Sequence, residues 1–257
     1  MGSKPLNGNG NRPPMTATGM SPADYPLGSM QSRGAARALL VKELEQRDLW
    51  KSCGEKESSF ESGPLLWLTK HTRTENPKYV QQNVPFKAPF PALSYFVPVM
   101  QAMLDERRLF IPKSREMMTS WLAMGYATWL AGWNPGSFIV VQADKEEKIY
   151  GLVNYARILH QNQFVDGEEE PWMQKKWPIT LDSKSSLGFS NGSKILGVPS
   201  GEAQIRSYHP TLYILDEAAF LPEAEQCYAT AHPVAHQIIA ISSDGLGWFH
   251  QITREME

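Results

Sequence analysis

From residue 109 onward, short apolar runs alternate with longer stretches in which apolar residues recur every three or four positions. The short runs predict buried strands, and the longer pattern predicts helices that cover a sheet. Strands are expected at residues 109–112, 137–143, 211–217 and 237–243, and helices at residues 117–132 and 144–162. Strands without an exposed polar face, followed by helices, predict an α/β fold whose mainly parallel open sheet is flanked by helices.

Two local patterns add to this alternation. Asn191-Gly192 stands between two apolar runs in residues 187–198, and this dipeptide is typical of the turn of an antiparallel hairpin. Residues 94–108 predict a helix with Pro98 near its start, where proline is tolerated. The sheet is therefore expected to carry an antiparallel addition, and a helix is expected before its first strand.

The N-terminal part of the chain divides by composition. Residues 1–35 are rich in Gly, Pro, Ser and Asn and have too few apolar residues to offset the entropy of ordering, so we expect a disordered tail. Residues 36–107 combine an amphipathic helix over residues 36–56 with a proline-punctuated aromatic stretch, and we expect a helical and irregular lid segment. Residues 108–257 then form the α/β core.

The charge and the cysteines narrow the classes of function. The 257 residues carry 25 Lys and Arg against 27 Asp and Glu, a net charge of −2. A nucleic-acid contact would therefore need a local patch or an assembled ring. The sequence has no apolar run of about 18 residues, so it predicts no membrane span. Cys53 and Cys227 lie too far apart to suggest a metal site, and a reducing compartment fits them.

The acidic pair Asp216-Glu217 directly follows the apolar run of residues 212–215. Ligands bind at the carboxyl edge of parallel α/β sheets, where this pair is expected to lie. Nucleotide hydrolases use two such acids, the first to hold Mg²⁺ and the second to activate the attacking water. The same pair could equally cap the helix that follows.

The junction between the first core strand and its helix has features of a phosphate-binding loop but lacks the glycines. Lys113 and Arg115 supply cations, and Ser120 supplies the hydroxyl that such a loop places on Mg²⁺. Met118 stands where glycine is usual and Thr119 where lysine is usual, and a methionine resists positive φ. Taken alone, the segment also fits an ordinary strand–helix junction.

A third polar pair, Ser242-Ser243, follows the apolar run of residues 238–241 at the end of the strand expected at residues 237–243. Hydroxyls at a carboxyl edge could contact a γ-phosphate, although serine is also common in turns at strand ends. The three motifs occur in the order strand-Lys-Ser-helix, strand-Asp-Glu and strand-Ser-Ser, each at a predicted carboxyl edge. This order favours a single nucleotide site.

The stretches KSREMMTSW, VPSGEAQIRSYHPTLYILDEAAF and IIAISSD resemble the ATPase domain of the large terminase subunit of tailed bacteriophages, the motor that packages DNA into capsids. The resemblance covers most of the chain beyond the tail and implies a P-loop NTPase fold of the ASCE type. In this family the lysine stands at the start of the phosphate loop, as Lys113 does. The resemblance therefore implies a Mg²⁺-dependent ATPase with a displaced lysine.

The resemblance implies a role for each matching residue. Mg²⁺ would be held by Ser120 and Asp216, and Glu217 would be the catalytic carboxylate, assisted by Lys113 and Arg115. The loop residues that bind ATP would be Lys113, Ser114, Arg115, Glu116, Met117, Met118, Thr119 and Ser120. The other expected nucleotide-site residues are the coupling pair Ser242 and Ser243, the recurring arginine Arg206, and Gln101, which could read adenine or lie on a helix surface.

The chain departs from the family at Glu116 and Met118, which replace the more usual Gln and Gly. It also lacks the acidic constellation of the family's nuclease domain, so nuclease activity is not expected from it. The implied partners are double-stranded DNA, a portal protein, a small terminase subunit and copies of the chain in a ring, in the cytoplasm of an infected bacterial host and with no membrane. Two alternatives stay open: another P-loop translocase or helicase-like ATPase, and a degenerate nucleotide-binding assembly module that does not hydrolyse ATP.

Overall fold

The computed structural model describes residues 28–75, 85–165, 172–243 and 247–255. Residues 1–27 of the expected tail lie outside this part of the chain. Helix α1 (Gly28–Cys53) begins inside the expected tail, which is therefore helical from residue 28 onward.

The chain divides into two compact units, Met1–Arg47 and Asp48–Glu257. In the first unit, the leucines that the sequence places on the apolar face of α1 are exposed to solvent: Leu39, Leu40 and Leu44. The second unit contains both the segment expected to form a lid and the α/β core. The boundary at residue 107 between those two stays a prediction.

The second unit contains the four predicted core strands and both strands of the predicted hairpin, together with three strands that the sequence did not predict. In chain order they are β1 (Arg73–Glu75), β2 (Lys87–Pro89), β3 (Arg108–Lys113), β4 (Phe138–Gln142), β5 (Ile179–Ser183), β6 (Ser186–Phe189), β7 (Lys194–Val198), β8 (Leu212–Asp216) and β9 (Gln237–Ser243). Within the described residues, seven of them form one sheet in the order β3-β9-β8-β4-β7-β6-β5. From β3 to β7 neighbouring strands are parallel, whereas β6 and β5 are added antiparallel. The mainly parallel sheet is as predicted.

Helices connect and cover these strands. After α1, those in the described residues are α2 (Gly63–His71), α3 (Phe96–Asp105), α4 (Thr119–Trp133), α5 (Glu146–Gln161), α6 (Trp172–Lys176), α7 (Glu202–Ile205), α8 (Ala224–Ala231) and α9 (Trp248–Glu255), with a 3-10 turn at Ala218–Phe220. Helices α3, α4 and α5 lie where the apolar periodicity predicts them. None of the helices in the described ranges is long and apolar enough to cross a bilayer.

The central strands are buried on both faces, which explains their continuous apolar sequence. In β8, Leu212 and Ile214 pack into the apolar cluster that includes α4 and α5. Tyr213 and Leu215 alternate with them and pack into a second cluster with α8 on the other face. The sheet is thus held between two helical layers.

The antiparallel edge contains one predicted hairpin and one strand that the sequence did not predict. Strands β6 and β7 pair as expected, and Gly192 supplies the positive φ of 84° that their turn requires. Strand β5 was not predicted, because most of its side chains are exposed and only Ile179 is half-buried. An edge strand of this kind has no continuous apolar run for sequence patterns to detect.

A cluster of tryptophans joins the end of α1 to the core, and we call Trp50, Trp67, Trp129, Trp133 and Trp177 the tryptophan cluster. Trp50 and Trp133 stack with ring centroids 4.3 Å apart. Trp129 Nε1 donates to the Cys53 carbonyl at 2.7 Å, and Trp133 Nε1 donates to the Trp50 carbonyl at 2.9 Å. These helix tryptophans therefore serve packing.

Both cysteines are free and buried. Burial raises the pKa of the Cys53 thiol to about 12 and also raises the pKa of the Cys227 thiol.

Candidate functional site at the carboxyl edge of the sheet

The order of the strands brings the three predicted motifs together. Lys113 at the end of β3 is paired in register with Ser243 at the end of β9. Asp216 ends β8 on the other side of β9. Because these strands are parallel, their carboxyl ends meet at one edge of the sheet. The serine pair therefore lies between the lysine and the acids, and the sequence prediction of a single site is geometrically possible.

The segment between β3 and α4 takes an unusual backbone conformation. Glu116 has φ of 67° and Met118 has φ of 50°, both in the left-handed region, whereas Met117 between them does not. Alternating signs of φ turn successive N–H groups toward one side and form an anion-binding concavity. Met118 thus adopts the conformation for which glycine is usual and stands immediately before the start of α4, where the helix dipole favours an anion.

The lysine and the second acid face each other across this edge. Lys113 Nζ lies 3.4 Å from Glu217 Oε1, and their side chains are 11% and 24% exposed. Ser243 Oγ lies 3.5 Å from Glu217 Oε2. Both distances are longer than a tight charged hydrogen bond of about 2.8 Å, so the contacts are loose. Glu217 itself is held in the left-handed region, with φ of 56°, at the start of the 3-10 turn.

The loop hydroxyl and the first acid are in direct contact. Ser120 Oγ donates to Asp216 Oδ1 at 2.8 Å. Burial raises the pKa of the Asp216 carboxyl, while the Ser120 hydrogen bond and the charges of Lys113 and Lys148 act in the opposite direction. A buried carboxylate with a raised pKa gains when a cation binds beside it.

These two oxygens suit a magnesium ion. Mg²⁺ takes oxygen ligands and in nucleotide sites is commonly bound by one or two protein groups together with waters and phosphates. Ser120 of α4 would supply a hydroxyl, and Asp216 of β8 would supply a carboxylate. Within the described ranges, no group of three or more His, Cys, Asp and Glu residues could hold a metal by itself. The arrangement therefore fits a metal that arrives with a phosphate ligand.

A cleft of about 420 Å³ opens beside the Ser120–Asp216 contact. One of its walls is a face of α5, and the residues from that helix are Glu147, Lys148, Gly151, Leu152 and Tyr155. The Tyr155 ring stacks on Trp121, with centroids 3.8 Å apart. This face of α5 was not among the site residues expected from the sequence. The spacing of three and four residues between Lys148, Gly151 and Tyr155 is the signal that could have indicated a common face.

Three residues expected at the nucleotide site, Gln101, Arg206 and Arg115, are not brought to the carboxyl edge by the contacts of the described residues. The Gln101 side chain accepts from the Ser58 amide at 3.3 Å and donates to Asp105 at 2.7 Å. Arg206 forms a bidentate ion pair with Glu202, at 2.9 and 2.7 Å, and its side chain is 66% exposed. Arg115 is exposed, and within the described ranges no hydrogen bond or ion pair holds its guanidinium. Their nucleotide roles stay predictions.

A second cavity, of about 260 Å³, lies at the amino edge of the sheet beside Tyr126 and Gln237. The Tyr126 hydroxyl donates to Gln237 Oε1 at 2.9 Å, and Gln237 Nε2 donates to the carbonyls of Met103 and Glu106 at 2.6 and 2.8 Å. Because the amide of Gln237 is already satisfied by the protein, this cavity offers a ligand little to bind.

A mainly parallel sheet with a strand–loop–helix junction beside an acidic strand end is the arrangement found in the P-loop NTPase class of fold. No protein-family model and no curated protein matches the sequence. Among solved structures, the chain is similar to the ATPase domain of the large terminase of Thermus phage P74-26, with a TM-score of 0.50 and 15% identity over 70% of this chain and 73% of that one. The predicted mainly parallel α/β fold is therefore confirmed, and the chain shares it with a terminase ATPase domain.

Two further solved structures show weaker similarity. The large terminase of bacteriophage HK97 is 17% identical, with a TM-score of 0.48 over 63% of this chain and 35% of that one. A large terminase of a thermophilic bacteriophage in complex with ADP is 11% identical, with a TM-score of 0.39 over 54% and 34%. TM-scores below 0.5 do not by themselves establish a shared fold. This chain spans about a third of the length of these two proteins.

Proposed function

We propose that the chain is the ATP-hydrolysing motor domain of a phage large terminase that drives double-stranded DNA into a procapsid. The observation that carries the proposal is the convergence of Lys113, Ser120, Asp216 and Glu217 from three separate segments on one carboxyl edge. The proposed partners are DNA, a portal protein, a small terminase subunit and further copies of the chain in a ring. The proposed location is the cytoplasm of the infected host.

In this mechanism, the loop N–H groups and Lys113 bind the phosphates of ATP. Lys113 now faces Glu217, and an incoming phosphate would draw the ammonium away from the carboxylate. Glu217 would then be free to accept a proton from the attacking water. Ser120 and Asp216 would hold Mg²⁺, which when bound neutralises charge on the transferring phosphoryl group. Arg115, exposed on the loop, would add a second cation.

The serine pair connects this chemistry to the rest of the sheet. Ser242 Oγ accepts from the Ala219 amide at 3.0 Å, in the 3-10 turn that follows Glu217. Ser243 approaches Glu217 itself. We therefore propose that a change at Glu217 during hydrolysis is passed through this turn and through β9 toward the surface that grips DNA.

Phosphate release from Mg²⁺-ATP tests the proposal, with double-stranded DNA present and absent. Wild type is compared with Glu217→Ala, Lys113→Ala and the control Glu225→Gln, whose carboxylate lies on α8 and is exposed. We expect hydrolysis in wild type and in the control and none in the other two variants.

Other outcomes identify the alternatives. Hydrolysis that survives Lys113→Ala would assign the phosphate cation to Arg115. ATP binding without phosphate release at any protein concentration would favour a degenerate binding module, as the glycine-free loop would allow. Stimulation by DNA that shows no dependence on a portal or procapsid would favour another P-loop translocase.

A further inference from the structure

The phosphate loop keeps a glycine-like backbone without a glycine. Glu116 and Met118 are both left-handed, and this conformation is markedly strained for a residue with a side chain. Strain of this kind persists only where surrounding contacts hold the backbone in place. The loop therefore needs a tertiary restraint that a glycine-containing loop would not need.

Met117, between the two left-handed residues, is held from two directions. The Tyr95 hydroxyl donates to the Met117 carbonyl at 2.8 Å. The Ser114 amide lies 3.3 Å from the Met117 sulfur. Of these two contacts, the one from Tyr95 comes from outside the loop, from the residue that precedes α3.

Tyr95 is itself fixed by the core. Its ring meets the ring of Phe96 edge-on, with centroids 4.9 Å apart, and Phe96 is completely buried. Tyr95 also stands at the N-terminus of α3, where its carbonyl accepts from the Val99 amide at 3.4 Å. Burial raises the pKa of the Tyr95 hydroxyl, so it remains a hydrogen-bond donor at neutral pH.

The orientation of one peptide follows from this bond. The peptide between Met117 and Met118 is trans, so its carbonyl and its N–H point in opposite directions. While the carbonyl is bound to Tyr95, the Met118 N–H must point away from Tyr95. A flip of this peptide would let φ of Met118 become negative, which a methionine favours, and would reverse the N–H.

We propose that Tyr95 is a positioning residue for the phosphate loop: its hydrogen bond prevents this flip and so substitutes for the missing glycine at position 118. The inference rests on the proposed ATP site. It also assigns the segment before β3 a defined part in nucleotide binding, because the restraint on the loop comes from that segment.

The test is a double-mutant cycle on the full chain, with ATP affinity and steady-state hydrolysis measured for wild type, Tyr95→Phe, Met118→Gly and the double variant. Tyr95→Phe should raise the KM and the Kd for ATP roughly two- to tenfold, the range of one hydrogen bond, with a smaller change in kcat. In the Met118→Gly background, Tyr95→Phe should change the free energy of ATP binding by less than about half as much as it does in wild type. Tyr208→Phe, at a ring that packs edge-on against Phe138, is the matched control.

Hydrogen–deuterium exchange of residues 114–119 without nucleotide gives a readout that does not need ATPase activity. Exchange should be faster in Tyr95→Phe than in wild type or in Tyr208→Phe. Unchanged exchange, or an equal loss of ATP affinity in both Met118 backgrounds, would overturn the proposal. Faster exchange in a protein that neither binds nor hydrolyses ATP would instead reject the proposed function and leave the positioning role intact.

Discussion

The tryptophan cluster and the carboxyl edge of the sheet hold their side chains in different ways. In the cluster, Trp129 is 1% exposed and its indole donates at 2.7 Å to a backbone carbonyl. At the carboxyl edge, Lys113 and Glu217 stand 3.4 Å apart, and Glu217 sits in a strained left-handed conformation. One region has close packing, with the Trp129 and Trp133 indoles hydrogen-bonded to backbone carbonyls, whereas the other has loose contacts between charges.

The difference indicates where stability and chemistry reside. Buried aromatic surface contributes strongly to the free energy of unfolding, whereas a loose, partly exposed ion pair contributes little. Strained residues are typical of functional sites, where a ligand uses the geometry that the strain maintains. Substitutions in the two regions should therefore have separable effects on unfolding and on ATP hydrolysis.

The largest effect is expected at the carboxyl edge. Glu217→Gln keeps the shape of the side chain but removes the base, so kcat for ATP hydrolysis should fall by roughly 10²- to 10⁴-fold. The midpoint of thermal unfolding should stay close to the wild-type value, since the pair with Lys113 is loose. A large drop in the unfolding midpoint would show that the carboxyl edge also stabilises the fold. The contrast with the tryptophan cluster would then fail.

The opposite result is expected in the tryptophan cluster. Trp129→Ala should lower the free energy of unfolding by about 3–5 kcal/mol, measured by denaturant titration, because it leaves a cavity and an unpaired Cys53 carbonyl. Trp129→Phe, which retains most of the ring surface, should lose less. If the folded fraction of Trp129→Ala has an altered KM for ATP, the two regions are coupled.

Gly197 in β7 and Gly151 in α5 test the close packing around α5, because substitution by alanine adds one methyl group at each position. A Cβ at Gly197 of β7 would lie 2.2 Å from Ile149 Cγ2, so Gly197→Ala should lower the free energy of unfolding by about 1–3 kcal/mol. Gly151, on the same helix as Ile149, has no atom within 4 Å of such a Cβ. Gly151→Ala should be neutral or stabilising by about 0.5–1 kcal/mol in the same denaturant measurement. Equal effects at both sites would contradict the packing described for β7 and α5.

The effect that is smallest at neutral pH, and that grows only as the pH falls, is a pH dependence at the margin of the tryptophan cluster. His160 contacts the Trp177 carbonyl at 3.1 Å, and burial lowers its pKa from 6.5 to about 4. The unfolded state therefore takes up this proton first as the pH falls. The stability from neutral His160 is complete above about pH 6.5 and is lost toward pH 4, by at most about 1.4 kcal/mol per pH unit.

Chemical unfolding between pH 4 and pH 7 measures this slope. His160→Gln keeps a hydrogen-bond donor but does not titrate, so its stability should change less steeply with pH than that of wild type. Identical slopes would mean that the pKa of His160 is the same in the folded and unfolded states and that other titrating groups account for the whole dependence.

The sequence could predict those parts of the fold that depend on continuous burial. Strands β4, β8 and β9 are apolar on both faces and were found within a residue or two, whereas β5 has one half-buried residue and was missed. The meeting of Lys113, Asp216 and Glu217 was predictable for a related reason, because parallel strands bring their carboxyl ends to one edge.

The conformation of the phosphate loop could not be predicted from the sequence. Glu116 and Met118 disfavour positive φ locally, and it is a contact from Tyr95, more than twenty residues from Met118 in the sequence, that accompanies the left-handed backbone. The place of Tyr155 also depends on tertiary structure, since its ring reaches the site by stacking on Trp121. Patterns along the chain report burial well and report such side-chain contacts poorly.

The two buried thiols have a practical consequence for labelling the protein. Maleimide dyes react with thiolates, and the raised pKa values of Cys53 and Cys227, together with their burial, make both slow to react in the folded protein. The wild-type sequence is therefore a nearly silent background for site-specific labelling. A cysteine at exposed Ser190, in the hairpin turn at the amino edge of the sheet, would place a fluorophore or a tether far from the proposed ATP site without first removing the native thiols.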